Sequence, residues 1–235
     1  MTLPPRRKPR WKHQYRIIPT RAPVIDLFER TDLTERKKRA LWALQVRVNP
    51  RLLQETGQLS CIRPGDLLHG PHASIVLGAF THTRNPSRFS NGSFGIYYAT
   101  QSQLTAIHET VHHKQRYARE RGVRAQDFHM RVWVGEVLQA CYDVRDARYA
   151  ALHAADDYTA SQAFTRTLLG ADPDAYGILY HSARHAGGSC LAALRPVTVS
   201  LPHQGAHLVY RWDGARITQV VEQSAPLVVF GAAQE

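Results

Sequence analysis

The sequence predicts an α+β fold, and two observations carry that reading. Segments with strand periodicity outnumber helical ones, and one pair is joined by an Asp-Gly turn of the kind that closes antiparallel hairpins. The helical segments do not alternate one for one with strands, as a doubly wound parallel sheet requires. The 235 residues, 43% of them hydrophobic, suffice for one domain with a sizeable core. We divide the chain into a basic, proline-rich arm over residues 1–14 and a single domain over residues 15–235.

The arm, MTLPPRRKPRWKHQ, has no periodicity of its own, so no stable structure is expected of it in isolation. Tyr15 to Ile18 is a short β-type run that Pro19 ends. Over residues 24–46 the apolar Leu27, Phe28, Leu41, Trp42 and Leu44 flank a charged ERKKRA patch, read as a solvated helix face. Residues 56–93 are rich in Gly, Pro, Ser, Asn and His and read as loops around the apolar run Ser74 to Phe80.

The next stretch is more regular. Phe94 to Ala99 reads as a strand, and Thr100-Gln-Ser-Gln103 matches a capping box that opens a helix. Leu104, Ile107, His108 and Val111 recur at helical spacing, and Gly122 stops the pattern. Phe128, Met130, Val132 and Val134 alternate with polar or bulky neighbours, as in a half-buried strand that continues through Val137–Val144. Thr159 to Leu169 reads as a helix. Tyr176 to Ser182 and Cys190 to Leu194 read as strands separated by Gly187-Gly188. His207 to Trp212, Asp213-Gly214 and Ile217 to Val221 read as a hairpin with a type I′ turn.

Thirty Lys and Arg against nineteen Asp and Glu give a net charge of +11. Such a balance favours anionic partners. Arg, which outnumbers Lys, suits bidentate phosphate recognition. No apolar run approaches the roughly 20 residues that span a bilayer. No apolar segment follows the basic N-terminus, so a secretory signal is not expected. Cys61, Cys141 and Cys190 are too few and too far apart for a disulfide framework or a Cys-based zinc site. The expected setting is cytoplasmic, away from membranes.

Two motifs share one glutamate. His108-Glu109-Thr110-Val111-His112 is an HExxH string, in which two histidines on one helix face ligate zinc and the glutamate activates a metal-bound water. A zinc metallopeptidase is therefore one alternative. The extended pattern fails, because Gln115 and Ala118 stand where its Gly and third His belong. Glu136 is the remaining candidate third ligand, yet Ala140 replaces the Asp expected after it, and its segment reads as a strand. A basic nucleic-acid-binding module using the arm is another alternative.

The second constellation is wider. Tyr15-Arg16-Ile17 stands near the start, and Pro86-Ser87-Arg88-Phe89 precedes Gly95-Ile96-Tyr97-Tyr98-Ala99. Glu109 follows within Thr105-Ala106-Ile107-His108-Glu109-Thr110. Gly177-Ile178-Leu179-Tyr180-His181-Ser182-Ala183-Arg184 is followed by Gly187-Gly188-Ser189-Cys190. This order resembles the RES domain family, named for its Arg, Glu and Ser, which correspond here to Arg16, Glu109 and Ser182. The resemblance spans about residues 15–196. It implies small mixed or antiparallel sheets with flanking helices, similar to ADP-ribosyltransferases. It further implies an NAD glycohydrolase or phosphorylase that acts as the toxin of a toxin–antitoxin pair. The implied antitoxin partner is a small Xre-like helix-turn-helix protein, so nucleic acid enters only through that partner. An ADP-ribosyltransferase acting on a macromolecule is a further alternative.

The residue chemistry fits that implication. Arg16 offers paired donors to a pyrophosphate, with Arg88, Ser182 and Arg184 as further NAD-binding candidates. Tyr98 offers an aromatic face to the cationic nicotinamide ring. Breaking the N-glycosidic bond develops an oxocarbenium-like cation, which the Glu109 carboxylate opposes. Arg16, Tyr98 and Glu109 are thus the catalytic candidates, NAD is the substrate, and the reaction calls for no metal.

Overall fold

The computed structural model describes residues 2–20, 62–81, 83 and 85–223. The segment over residues 24–46 and Cys61 lie outside them. The strands are β1 (Arg6–Arg7), β2 (Gln14–Pro19), β3 (Tyr97–Thr100), β4 (Gln126–Gly135), β5 (Cys141–Asp143), β6 (Gly177–His181), β7 (Ser189–Ala193), β8 (His203–Trp212) and β9 (Ile217–Gln223). The α-helices are α1 (Ala73–Thr81), α2 (Gln103–Glu120) and α3 (Thr159–Ala171), with short 3-10 turns at Pro64–Asp66, Ala147–His153 and Pro196–Thr198. The class is α+β, and the described strands join one nine-stranded sheet of order β1-β5-β6-β7-β3-β2-β4-β8-β9. All pairings are antiparallel except β5 with β6.

Alternation along β3, β6 and β7 divides their side chains between two layers. One set, including Tyr97, Ala99, Leu179, Leu191 and Ala193, packs under α1 with Val76, Leu77 and Phe80. The other set, including Ile178, Tyr180, Cys190 and Ala192, packs under α3 with Phe164 and Leu168. Covered on both faces, β6 is buried from Gly177 through Tyr180, which is why its sequence is an apolar run without polar alternation. A third cluster joins Ala106 of α2 to Ile17, Met130, Val132, Leu208 and Tyr210. The even-numbered Phe128, Met130, Val132 and Val134 of β4 face this cluster, as their spacing predicts, while Trp133 on the other face is buried as well.

Five local expectations are corrected. The apolar run Ser74 to Phe80, among the expected loops, is part of the helix α1; its apolar residues are buried on several sides, so no amphipathic period marks it. The helix cap is Ser102, not Thr100. The Ser102 Oγ accepts from the Thr105 amide at 3.2 Å, while Thr100 still belongs to β3 and donates to the Ser102 carbonyl at 2.8 Å. Val137–Val144 is not one strand: β5 is confined to Cys141–Asp143, and Val137 makes an isolated bridge to Val199. The β8–β9 connection is a four-residue loop, Asp213 to Arg216, rather than a two-residue type I′ turn. The Asp213 carboxylate accepts from the amides of Ala215 and Arg216, each at 2.8 Å.

The fifth concerns the arm. It contributes β1, paired with β5, and the Asp143 amide donates to the Pro5 carbonyl at 2.9 Å. Arg6 stacks on Tyr142 at 5.0 Å and forms an ion pair with Asp172 at 2.5 Å. Backbone pairing to an open edge demands no hydrophobic pattern, so composition alone gives no sign of it.

Candidate active site

A cleft of about 340 Å³ opens where β2, β3, β6 and α2 meet. Its size suits a small-molecule ligand, for which pockets are typically about 300–1,000 Å³. Arg16, Arg88, Tyr98 and Glu109 all line it, although they lie on four separate segments of the sequence.

Arg16 sits on β2, between β3 and β4. Its guanidinium lies 4.6 Å over the Tyr97 ring and donates through Nη1 to the Tyr98 carbonyl at 2.9 Å. Its Nε is buried without a hydrogen-bond partner among the described residues. Burial lowers its pKa, yet a guanidinium remains a cation in any protein setting. A buried cation with an unused donor is chemically suited to an anionic group.

Tyr98 is fixed by its hydroxyl, which is 2.9 Å from Ser87 Oγ and accepts from the Phe89 amide at 3.1 Å. Burial pushes its phenol up to about 12, so it stays neutral and presents a ring of fixed orientation. Arg88 is buried and donates through Nη1 to the carbonyls of Leu152 at 3.2 Å and Ala154 at 2.7 Å. It also stacks on Tyr158 at 4.8 Å, and no carboxylate pairs with it among the described residues. Arg88 therefore ties the Ala147–His153 segment to the cleft while adding positive charge to its wall.

Glu109 lies in the second turn of α2 and projects toward β6. The Ser182 Oγ donates to Glu109 Oε1 at 2.6 Å and accepts from the amides of Arg184 at 3.1 Å and His185 at 2.9 Å. Ser182 does not line the cleft; it holds the carboxylate that does. The Gly187-Gly188 pair makes this possible. Gly187 has a φ of +75°, and a Cβ at Gly188 would lie 2.8 Å from Thr105 Cγ2. Two glycines let the loop after Ser182 turn back against the first turn of α2, and the Ser182 amide closes it onto the Gly188 carbonyl at 2.9 Å.

Arg184, like Ser182, is not among the residues that line the cleft. Its Nη2 is bound by Asp156 and by the Ala155 carbonyl, each at 2.6 Å, and it does not reach the cleft wall. The sequence reading missed His113 and Arg116, which line the cleft with Glu109. Their spacing of i, i+4 and i+7 on one helix was the available signal. Enclosure in the cleft, reinforced by His112 and Arg116, lowers the His113 pKa to about 4, so the ring is neutral near pH 7.

The HExxH histidines diverge. His108 stacks on His185 at 4.7 Å, whose Nδ1 lies 2.9 Å from Thr105 Oγ1. His112 packs edge-on against His113. Among the described residues no group of three or more His, Cys, Asp or Glu is placed to hold a metal ion. No helix among them is long and apolar enough to cross a membrane.

The RES domain family model matches residues 65–213, more than half of the chain. The chain belongs to the RES domain family. The match begins after Arg16, so that residue is tied to the RES cleft by the structure and by the wider sequence resemblance. An uncharacterized protein of Sinorhizobium fredii (strain NBRC 101917 / NGR234), y4oC, is 27% identical over 211 residues, covering 87% of this RES chain and 84% of that protein. A chain in the crystal structure of the M. tuberculosis MbcT–MbcA toxin–antitoxin complex is 16% identical with a TM-score of 0.40, over 62% of this chain and 76% of that one.

Proposed function

We propose that this RES protein degrades NAD⁺ by cleaving the bond between nicotinamide and ribose, and that it is the toxin of a toxin–antitoxin pair. The observation that carries this reading is the placement of Glu109. Its carboxylate is fixed by Ser182 at 2.6 Å on the wall of a cleft otherwise charged by Arg16, Arg88 and Arg116. A cationic cleft with one oriented carboxylate suits a substrate that is anionic at its phosphates and develops positive charge at one carbon.

In this reading Arg16, aided by Arg88, neutralises the pyrophosphate, and the Tyr98 ring stacks on nicotinamide. The bond from C1′ to the pyridinium nitrogen breaks, and its electron pair leaves with nicotinamide, which departs neutral and needs no acid. The positive charge left on the ribose is opposed by Glu109. Water or inorganic phosphate then forms the new C1′–O bond, with water giving up one proton. Glu109 needs a defined position to act at that moment, and the Ser182 hydroxyl supplies it. A helix-turn-helix antitoxin neutralises the protein by covering the cleft.

The test is incubation of the purified protein with NAD⁺, with and without phosphate, followed by product identification. Nicotinamide with ADP-ribose indicates hydrolysis, and nicotinamide with a phosphorylated ADP-ribose indicates phosphorolysis. Intact NAD⁺ with folded protein refutes the proposal. In cells, expression of the chain alone should deplete NAD⁺ and arrest growth, and coexpression of the antitoxin should prevent both.

A further inference from the structure

A second, larger cavity of about 710 Å³ lies beneath the N-terminal arm, lined by Arg7, Lys8, Arg10, Trp11, Gln101 and Arg145, with Pro9. It shares no lining residue with the cleft around Glu109. The arm is fastened at both ends. At one end Arg6 is held by Tyr142 and Asp172, and at the other Trp11 packs against the core under α1. Lys8 to Arg10 span the interval, with Pro9 stiffening its middle.

The charge there is unbalanced. Asp143 receives Arg145 Nε at 2.8 Å and Nη2 at 2.7 Å, and Arg7 approaches it at 3.8 Å. One carboxylate thus serves two arginines. Neither Lys8 nor Arg10 has an ion-pair partner among the described residues. A basic run is usually a solvated face, and Arg7, Lys8 and Arg10 are exposed, but they rim a concavity instead of a flat surface. Here four cations line an open, nucleotide-sized concavity, one of them, Arg145, held rigid by its bidentate pair with Asp143. Their mutual repulsion is relieved by a ligand with several negative charges close together.

We propose that this cavity is a second anion site that binds the phosphate chain of a nucleoside triphosphate or similar polyphosphate. Arg145 and Arg7 take the phosphates from the sheet edge, and Lys8 and Arg10 take them from the arm. Gln101 and the exposed part of Trp11 remain for the nucleoside. The proposal does not depend on what the Glu109 cleft does.

The experiment is calorimetric titration of the full chain with ATP and with inorganic tripolyphosphate at fixed ionic strength. Saturable binding is expected for both, much tighter than for orthophosphate. The exposed pair Lys8→Glu with Arg10→Glu should weaken it at least tenfold, with unchanged thermal unfolding. Arg16→Ala, which alters the other cleft, should leave it intact. Loss of binding in Arg16→Ala but not in the arm variant would place the anion in the Glu109 cleft and overturn the proposal. Binding no tighter than that of orthophosphate would also overturn it. So would capture of a single-stranded oligonucleotide through the same residues without saturable tripolyphosphate binding.

Discussion

Ser182→Ala separates holding a carboxylate from holding a substrate. The hydroxyl donates to Glu109 at 2.6 Å and accepts two backbone amides, from Arg184 and His185. A hydrogen bond to a charged group contributes about 1.5–3 kcal/mol, and a neutral one about 1 kcal/mol. Ser182 is only half-buried, so water partly replaces what is lost, and a destabilisation of about 2–3 kcal/mol is expected. For a chain of this size that lowers Tm by about 4–12 °C. Once untethered, Glu109 samples other rotamers, and displacement of a reacting group by an ångström costs up to about a hundredfold in rate. We expect kcat for NAD⁺ cleavage to fall about 10–100-fold, with KM nearly unchanged because Ser182 does not line the cleft. Ser182→Thr retains the hydroxyl and should restore most of the rate. Steady-state kinetics on the three proteins decides the matter. A raised KM with normal kcat would make Ser182 a substrate contact, and no change in either would sink the positioning argument.

Glu109→Gln preserves shape and removes the charge, so kcat should drop about 10²–10³-fold with little change in NAD⁺ affinity; near-normal turnover would refute the mechanism. Arg16→Ala should instead weaken NAD⁺ binding at least as much as it slows turnover, as read from KM and direct titration. Tyr98→Phe should be milder than Tyr98→Ala if the ring face is what matters, although it frees Ser87 and the Phe89 amide. Enclosure, aided by His181 and Arg88, lowers the His153 pKa to about 4. The unfolded chain takes up that proton near pH 6.5 and the folded protein only near pH 4, so stability falls as pH drops through this window. His153→Gln should shallow the decline of Tm between pH 6.5 and 4, to which His113 and His112, their pKa values also lowered, contribute as well; an unaltered slope would contradict the assignment.

What was legible in the sequence follows from which interactions leave a local pattern. α2 showed itself through the spacing of Leu104, Ile107 and Val111, and Glu109 could be placed on it without further help. β4 showed itself by alternation. α1 did not, because burial on several sides erases the period that distinguishes helix from strand. β1 did not, because edge pairing is made by backbone groups common to every residue. Arg16 stands far from Glu109 in the chain, so only the resemblance to the RES family linked those two, whereas Tyr98 lies on the strand that leads into the helix of Glu109; the fold brings all three into one cleft. His113 and Arg116 were within reach from helical spacing alone. The pairing of Arg184 with Asp156 could not be foreseen, because no pattern indicates that partner.

The order of strands in the sheet has a consequence for synthesis on the ribosome. β2, which carries Arg16, leaves the exit tunnel early, behind β1 alone among the described strands, yet its neighbours are β3 and β4, and β3 is in turn held by β7. The residue that steadies Glu109 follows β6, and the loop that presents it closes only when Gly188 is in place. Between the emergence of Glu109 and that of β6 and β7 the nascent chain therefore carries Arg16, Tyr98 and Glu109 without the cleft that gathers them. Whatever the cleft does, it begins only after residues 177–193 have emerged and docked. A message truncated between Glu109 and Gly177 yields a polypeptide with Arg16, Tyr98 and Glu109 all present and no cleft around them.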